Sequence, residues 1–290
     1  MLAPRPIVDG ADCPASGAPD AALTPAEAAH FRAHGWVLRR KLIPPEQLAP
    51  FVERLWAIAP PRVQRGDPAS WVDASERWDN SPPGYHGTML QYFGADSRSG
   101  ASGASGGGQW WLGDIGTDPA FLRATSRHPR ALQVVESLLG ANLKLPSRSR
   151  GLYTVWPQSQ PAYSLGPHVD SQSEELLTTT YLGTVTEHDA PFTIWPGTHA
   201  PMWAASTEQN NWRPDETPGP DGETKFDSAR SWARAEVQPL SFTGEIGDTL
   251  FWHARLLHCT GVHTGGNVRI AAIQDYRRTW PCSRCVQPAA

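Results

Sequence analysis

Gly247-Asp248-Thr249-Leu250-Phe251-Trp252-His253-Ala254-Arg255-Leu256-Leu257-His258-Cys259-Thr260 opens with a turn pair, continues as a short apolar strand, and sets a histidine beyond it. Comparable segments surround it at 142–145, 151–156, 176–185, 192–195, 235–242 and 268–276, each short and separated from the next by Pro or Gly. That many short strands after Gly140, with turns between them, predict a sandwich or closed jelly roll. The strand series is interrupted at 207–231 by a polar insertion. No internal repeat at a fixed period is present.

Toward the N-terminus the pattern becomes helical. Residues 1–22 are rich in Ala, Pro, Gly and Asp without periodicity and read as a flexible arm. Thr24, Pro25 and Glu27 then supply a cap, a first-turn proline and a capping-box carboxylate for a helix ending at Gly35. A strand is expected over 36–43. Pro44 and Pro45 open a second helix with Leu48, Phe51, Val52, Leu55 and Trp56 on one face. Further helical turns are expected at 121–123 and 129–139, the latter stopped by Gly140. From Ala59 to Gly113 the periodicity dissolves into turn formers, the aromatics Trp71, Trp78, Tyr85, Tyr92, Trp110 and Trp111, and a Ser/Gly/Ala run over 99–108. So long a connection marks a lid or a disordered insertion: the run itself suits disorder, and its aromatic flanks suit a lid.

Composition narrows the partners. A formal net charge of -4 in 290 residues carries no basic excess, which argues against nucleic acid or an anionic membrane surface and leaves a small-molecule substrate. No stretch has the length and apolarity of a membrane span, and no leader-like pattern opens the chain. Cys13, Cys259, Cys282 and Cys285 do not form a disulfide framework, so a reducing, cytoplasmic setting is expected. Cys282 and Cys285 have C-x-x-C spacing but no second ligand pair. Most of the 13 tryptophans are expected to be core anchors, with Trp195, Tyr153 and the aromatics before Trp111 as weaker pocket-lining candidates.

The chemistry rests on a constellation. His168-Val169-Asp170 is an H-x-D pair whose side chains project to one side of an extended chain. In a chain of this composition chance supplies about one such pair, so order and context must carry the signal. His258 follows on a distant strand, and Arg269 stands eleven residues later on the last strand. Two imidazoles and a carboxylate can hold a non-haem Fe(II) on one face and leave three positions open. Arg269 presents a planar fork suited to the distal carboxylate of an acidic co-substrate, and the Thr260 hydroxyl can join it. His253 and His263 compete for the third ligand role, but neither has an arginine or lysine eleven residues on.

At this point the sequence resembles the phytanoyl-CoA dioxygenase family of Fe(II)/2-oxoglutarate-dependent oxygenases. The resemblance runs through residues 23–27, 34–37 and 43–48, then His168-Val169-Asp170, the turn Thr193-Ile194-Trp195-Pro196-Gly197-Thr198-His199, Gly247-Asp248-Thr249-Leu250-Phe251, His258 and Arg269. It implies a mainly β protein with flanking helices and a double-stranded β-helix core of the jelly-roll, cupin-like kind. The expected layout is an arm at 1–22 and a single oxygenase domain at 23–290, with a helical and lid region over 23–140 and the jelly-roll core over 141–280. It also implies Fe(II) at His168, Asp170 and His258, 2-oxoglutarate at Arg269 and Thr260, and O2-driven oxidation of a substrate C–H with release of succinate and CO2. The carboxylate of Asp170 argues against halogenation, which in such proteins goes with a small residue at that position. A metal-binding cupin-type enzyme that does not use 2-oxoglutarate, or a non-catalytic binding protein on the same scaffold, is the alternative.

Overall fold

The computed structural model of the protein describes residues 1–9, 11–14, 21–59, 62–72, 109–159, 166–170, 175–207, 210–214 and 217–279. The Ser/Gly/Ala run 99–108, most of the proposed lid, and Cys282 and Cys285 lie outside them. In chain order the elements are β1 (Arg5–Pro6), α1 (Pro25–His34), β2 (Trp36–Arg39), α2 (Pro45–Ala57), β3 (Gln109–Leu112), α3 (Pro119–Ala124), α4 (Pro129–Leu139), β4 (Leu143–Lys144), β5 (Gly151–Val155), β6 (Leu176–Tyr181) and β7 (Phe192–Ile194). There follow α5 (His199–Ala204), β8 (Ser206–Thr207), β9 (Asn210–Pro214), α6 (Lys225–Glu236), β10 (Leu240–Phe242), β11 (Thr249–His253), β12 (His258–Thr260) and β13 (Arg269–Arg278).

Two sheets make the core. The larger runs β2-β11-β6-β13-β5-β3, with β4 also on β13, and the smaller runs β1-β10-β7-β12. Apart from the parallel β1–β10 pair, the ladders of both sheets are antiparallel. Side chains from the two sheets meet across the interior: Tyr181 stacks on Phe242 at 4.2 Å between ring centres, and Phe192 lies 5.2 Å from Trp252. Such pairs add to the apolar area they bury. This is the double-stranded β-helix with flanking helices that the resemblance implied, where the strand pattern alone left a sandwich or a closed jelly roll.

Local chemistry explains the helical entry. The Thr24 hydroxyl accepts from the Glu27 amide, the Glu27 carboxylate accepts from the Thr24 amide at 2.7 Å, and Gly35 at φ 79 closes α1 by donating to Phe31 O. Buried Glu27 also pairs with Arg39 of β2, so one carboxylate caps the helix and anchors it to the sheet. Helix α2 buries Leu48, Phe51 and Leu55, with Phe51 edge-on to Phe121 of α3.

Four expectations are corrected. Within the expected flexible arm at 1–22, Arg5–Pro6 pairs with β10, and Ile7 and Cys13 are buried, because β10 offers a free edge. The strand expected over 36–43 ends at Arg39, and Lys41 turns the chain with φ 49. The polar insertion 207–231 and the start of the strand at 235–242 contain α6, capped by the Thr24-like pairing of Thr224 with Asp227; only Leu240–Phe242 is strand. Strand β3, unexpected from sequence, closes the edge of the larger sheet beside β5.

The Gly247-Asp248 turn has a structural explanation. Gly247 sits at φ 90, and a Cβ there would stand 2.0 Å from Ile43 O. The Asp248 carboxylate accepts from the amides of Lys41 and Glu245 and pairs with Arg40. Gly247→Ala is therefore expected to lose about 2 kcal/mol or more of stability, combining left-handed strain with the backbone clash. A urea midpoint equal to that of the parent protein would contradict this reading.

Candidate metal centre

The sheets bring the H-x-D pair to His258 through the backbone itself. His168 N donates to His258 O and His258 N to His168 O, both at 2.9 Å, a one-rung antiparallel bridge. Each imidazole is then oriented by its own loop. Nδ1 of His168 lies 2.8 Å from Gly166 O, and Nδ1 of His258 lies 2.9 Å from Leu256 O. A carbonyl can only accept, so each Nδ1 carries the proton and each Nε2 presents a lone pair. Both Nε2 atoms face Asp170 Oδ1 at 3.8 Å. One ligand atom from each of the three residues falls within 4.8 Å of the others, the only such group of His, Cys, Asp and Glu among the described residues.

Electrostatics keep the donors in the form a cation needs. Burial, reinforced by His168, pushes His258 down to about 3, so its imidazole is neutral. Burial opposes the charge on Asp170, yet its carboxyl is held below its ordinary range, and with the imidazoles neutral the cation beside it is Arg150. Asp170 is fixed from two sides: Arg150 Nη1 donates to its Oδ2 at 2.8 Å, and buried Arg255 donates to its backbone carbonyl.

A cavity of about 140 Å³ opens on these residues, lined also by Tyr153, Phe192, Trp252, Thr260, Arg269 and Ile273. Arg269 lines it and is 1% exposed. Its Nη1 donates to Ala190 O at 3.1 Å, its Nε has no acceptor, and no carboxylate pairs with it among the described residues. Burial pulls its pKa down, the response of a desolvated cation without a counterion. Thr260 lines the same cavity, and Tyr153, pushed up to about 12 by burial, stays protonated there.

The rival histidines are engaged elsewhere. His253 Nδ1 accepts from Arg255 N, and His263 Nε2 donates to Asn267 O at 2.7 Å. Trp195 is not in the cavity; it packs in a separate core with Met202, Phe226 and Leu257. The Pro196-Gly197-Thr198-His199 turn is a docking device rather than a ligand source. Gly197 N donates to His34 O, Thr198 Oγ1 accepts from Leu257 N, and His199 Nε2 donates to Arg32 O. Sequence reasoning missed Arg150, which precedes a strand without any motif, and passed over Arg255 although it stands three residues before His258.

Buried neutral histidines set the acid limit of the metal-free protein. Burial holds His199 at about 4 and His258 at about 3, against an ordinary 6.5. Below pH 6.5 the unfolded chain takes up protons that the folded chain refuses. Stability should therefore fall from about pH 6.5 towards 4, by up to about 1.4 kcal/mol per pH unit for each histidine. Urea midpoints at pH 7.5, 6.5 and 5.5 measure this, and His199→Gln should flatten the slope; an unchanged slope in that variant would count against it.

No protein-family model and no curated protein sequence matches this chain. Comparison with solved structures places the fold among the double-stranded β-helix proteins that include non-haem, 2-oxoglutarate-dependent enzymes. The carbocyclase SnoK from nogalamycin biosynthesis, described as non-haem and α-ketoglutarate-dependent, aligns with TM-score 0.56 at 14% identity over 95% of this chain and 94% of its own. The epimerase SnoN from nogalamycin biosynthesis, described in the same terms, aligns at 0.54 and 18% identity over 87% and 79%. EctD from S. alaskensis with bound Fe aligns at 0.52 and 16% identity over 99% and 92%. Among the described residues no helix is long and apolar enough to cross a membrane.

Proposed function

We propose that this protein is an Fe(II)- and 2-oxoglutarate-dependent dioxygenase that hydroxylates a small-molecule metabolite or natural-product intermediate, releasing succinate and CO2. The observation that carries the reading is Arg269: a buried guanidinium with no carboxylate partner among the described residues, lining the cavity that the His168, Asp170 and His258 donors share. A desolvated cation of this kind is complemented by an anionic ligand. Two imidazoles and one carboxylate are the donor set that suits Fe(II) in oxygenases, and both imidazoles show the tautomer that ligation requires. The order of the motifs supports placement near the phytanoyl-CoA dioxygenases.

When bound, Fe(II) and 2-oxoglutarate supply O2 activation, with one oxygen atom entering succinate and the other the substrate C–H. The protein's share is positioning. Arg269 and Thr260 would hold the distal carboxylate of 2-oxoglutarate, and His168, Asp170 and His258 would hold the metal. Phe192 and Trp252 wall the cavity against water. Of the three ligand residues His168 is the most exposed, at 31%, and the substrate is expected to approach from its side.

The test is succinate release across a metabolite library with and without Fe(II), 2-oxoglutarate and a chelator. Activity indifferent to 2-oxoglutarate would instead favour the cupin-type reading. Product mass identifies the outcome: hydroxylation adds one oxygen atom, whereas epimerisation and ring closure, the activities in the descriptions of SnoN and SnoK, do not.

A further inference from the structure

We propose that Arg150 is a positioning residue that fixes Asp170 as a one-oxygen ligand, an inference that rests on the metal-centre reading above. The guanidinium joins two carboxylates: Nη1 donates to Asp170 Oδ2 at 2.8 Å and Nε to Asp275 Oδ1 at 2.7 Å. Arg150 is itself anchored to β13, since its backbone amide donates to Ile273 O at 3.1 Å, and Asp275 lies two residues further along that strand. The three charged side chains are 15–20% exposed, so water does little to loosen the set. Oδ2 is engaged by Arg150, and Oδ1 lies 3.8 Å from the Nε2 atom of each imidazole. An unrestrained carboxylate can turn and offer a cation both oxygens. Arg150 blocks that second mode and preserves an open position at the metal. Asp275 serves as the fixed second point of the clamp, which explains a carboxylate placed beside the ligand set without being one of its donors.

A guanidinium can span two carboxylates because its donors form a rigid fork, whereas an ammonium is a point charge. Arg150→Lys therefore keeps the charge beside the site and removes the span. The experiment titrates the metal-free protein with Co(II) alone under anaerobic conditions, reading the dissociation constant and the visible ligand-field spectrum. The proteins compared are the parent, Arg150→Lys, Asp275→Asn and His168→Ala. In Arg150→Lys, affinity is expected to drop roughly ten- to hundredfold, the range seen when groups supporting a metal ligand are altered. The ligand-field bands should change as Asp170 gains a second oxygen contact. Parent-like affinity and bands in Arg150→Lys overturn the proposal. If that variant does not fold, Asp275→Asn decides: shifted bands with a smaller affinity loss support the clamp, and parent-like bands overturn it. A role confined to stability would lower the melting temperature without moving the bands. If the parent takes up Co(II) no better than His168→Ala, the metal-centre reading itself fails, a result distinct from failure of the clamp alone.

Discussion

Asp170→Ala and His258→Ala are expected to release succinate at the rate of a no-enzyme control while remaining folded. Either change leaves two donors where three are needed to hold one face of the metal, and each remaining imidazole stays tied to its own carbonyl, Gly166 O or Leu256 O. In Asp170→Ala the Arg150 guanidinium keeps a carboxylate partner in Asp275. In His258→Ala the backbone bridge to His168 survives, because it uses main-chain atoms only. Metal titration and succinate analysis on the same samples separate loss of the ion from loss of the fold. Full turnover by either variant would sink the assignment.

Arg269→Met should separate binding from stability. Loss of a charged hydrogen bond to the co-substrate carboxylate removes about 1.5–3 kcal/mol, which weakens 2-oxoglutarate binding roughly ten- to hundredfold. The metal-free variant should nevertheless be at least as stable as the parent. The arginine is buried with Nε unsatisfied and no carboxylate beside it among the described residues, and a flexible apolar side chain of similar length removes that desolvation cost. At one fixed 2-oxoglutarate concentration in the presence of metal, the co-substrate should then raise the melting temperature of the parent by more than that of the variant. A variant that keeps the parent's affinity for 2-oxoglutarate would show that Arg269 is not the anchor.

Signals of short range were legible in the sequence. Helix α1 was readable because Thr24, Pro25, Glu27 and Gly35 fix its ends within a few residues. The strands around the site were readable because each alternates or runs apolar between breakers. The three candidate donors and Arg269 stood out in the sequence as an ordered set rather than singly, and the fold brings them to one cavity. Pairing across long separations was not: β1 joins β10, and Arg150 meets Asp170 and Asp275, with no local pattern to announce either contact. Helix α6 was hidden for another reason. Its buried residues are only Phe226 and Ala233, so it lacks the apolar stripe that marks a helix, although Thr224 and Asp227 carried a cap signal that could have been read. The Gly247-Asp248 and Pro196-Gly197-Thr198-His199 turns look like chemistry in the sequence, yet what they do in the fold is hold loops and helix α1 in place.

The one-rung bridge between His168 and His258 divides the chain into two kinds of territory. Because the rung is made of main-chain atoms, it works as a gauge that sets the spacing of the imidazoles whatever lies between them. The polypeptide from 168 to 258 is a closed loop hung from that gauge, and α5, the β8–β9 hairpin and α6 all belong to it. Segments of the loop away from the core strands can lengthen, shrink or change character without shifting the ligand atoms. Variation there alters what surrounds the centre while its bite stays constant.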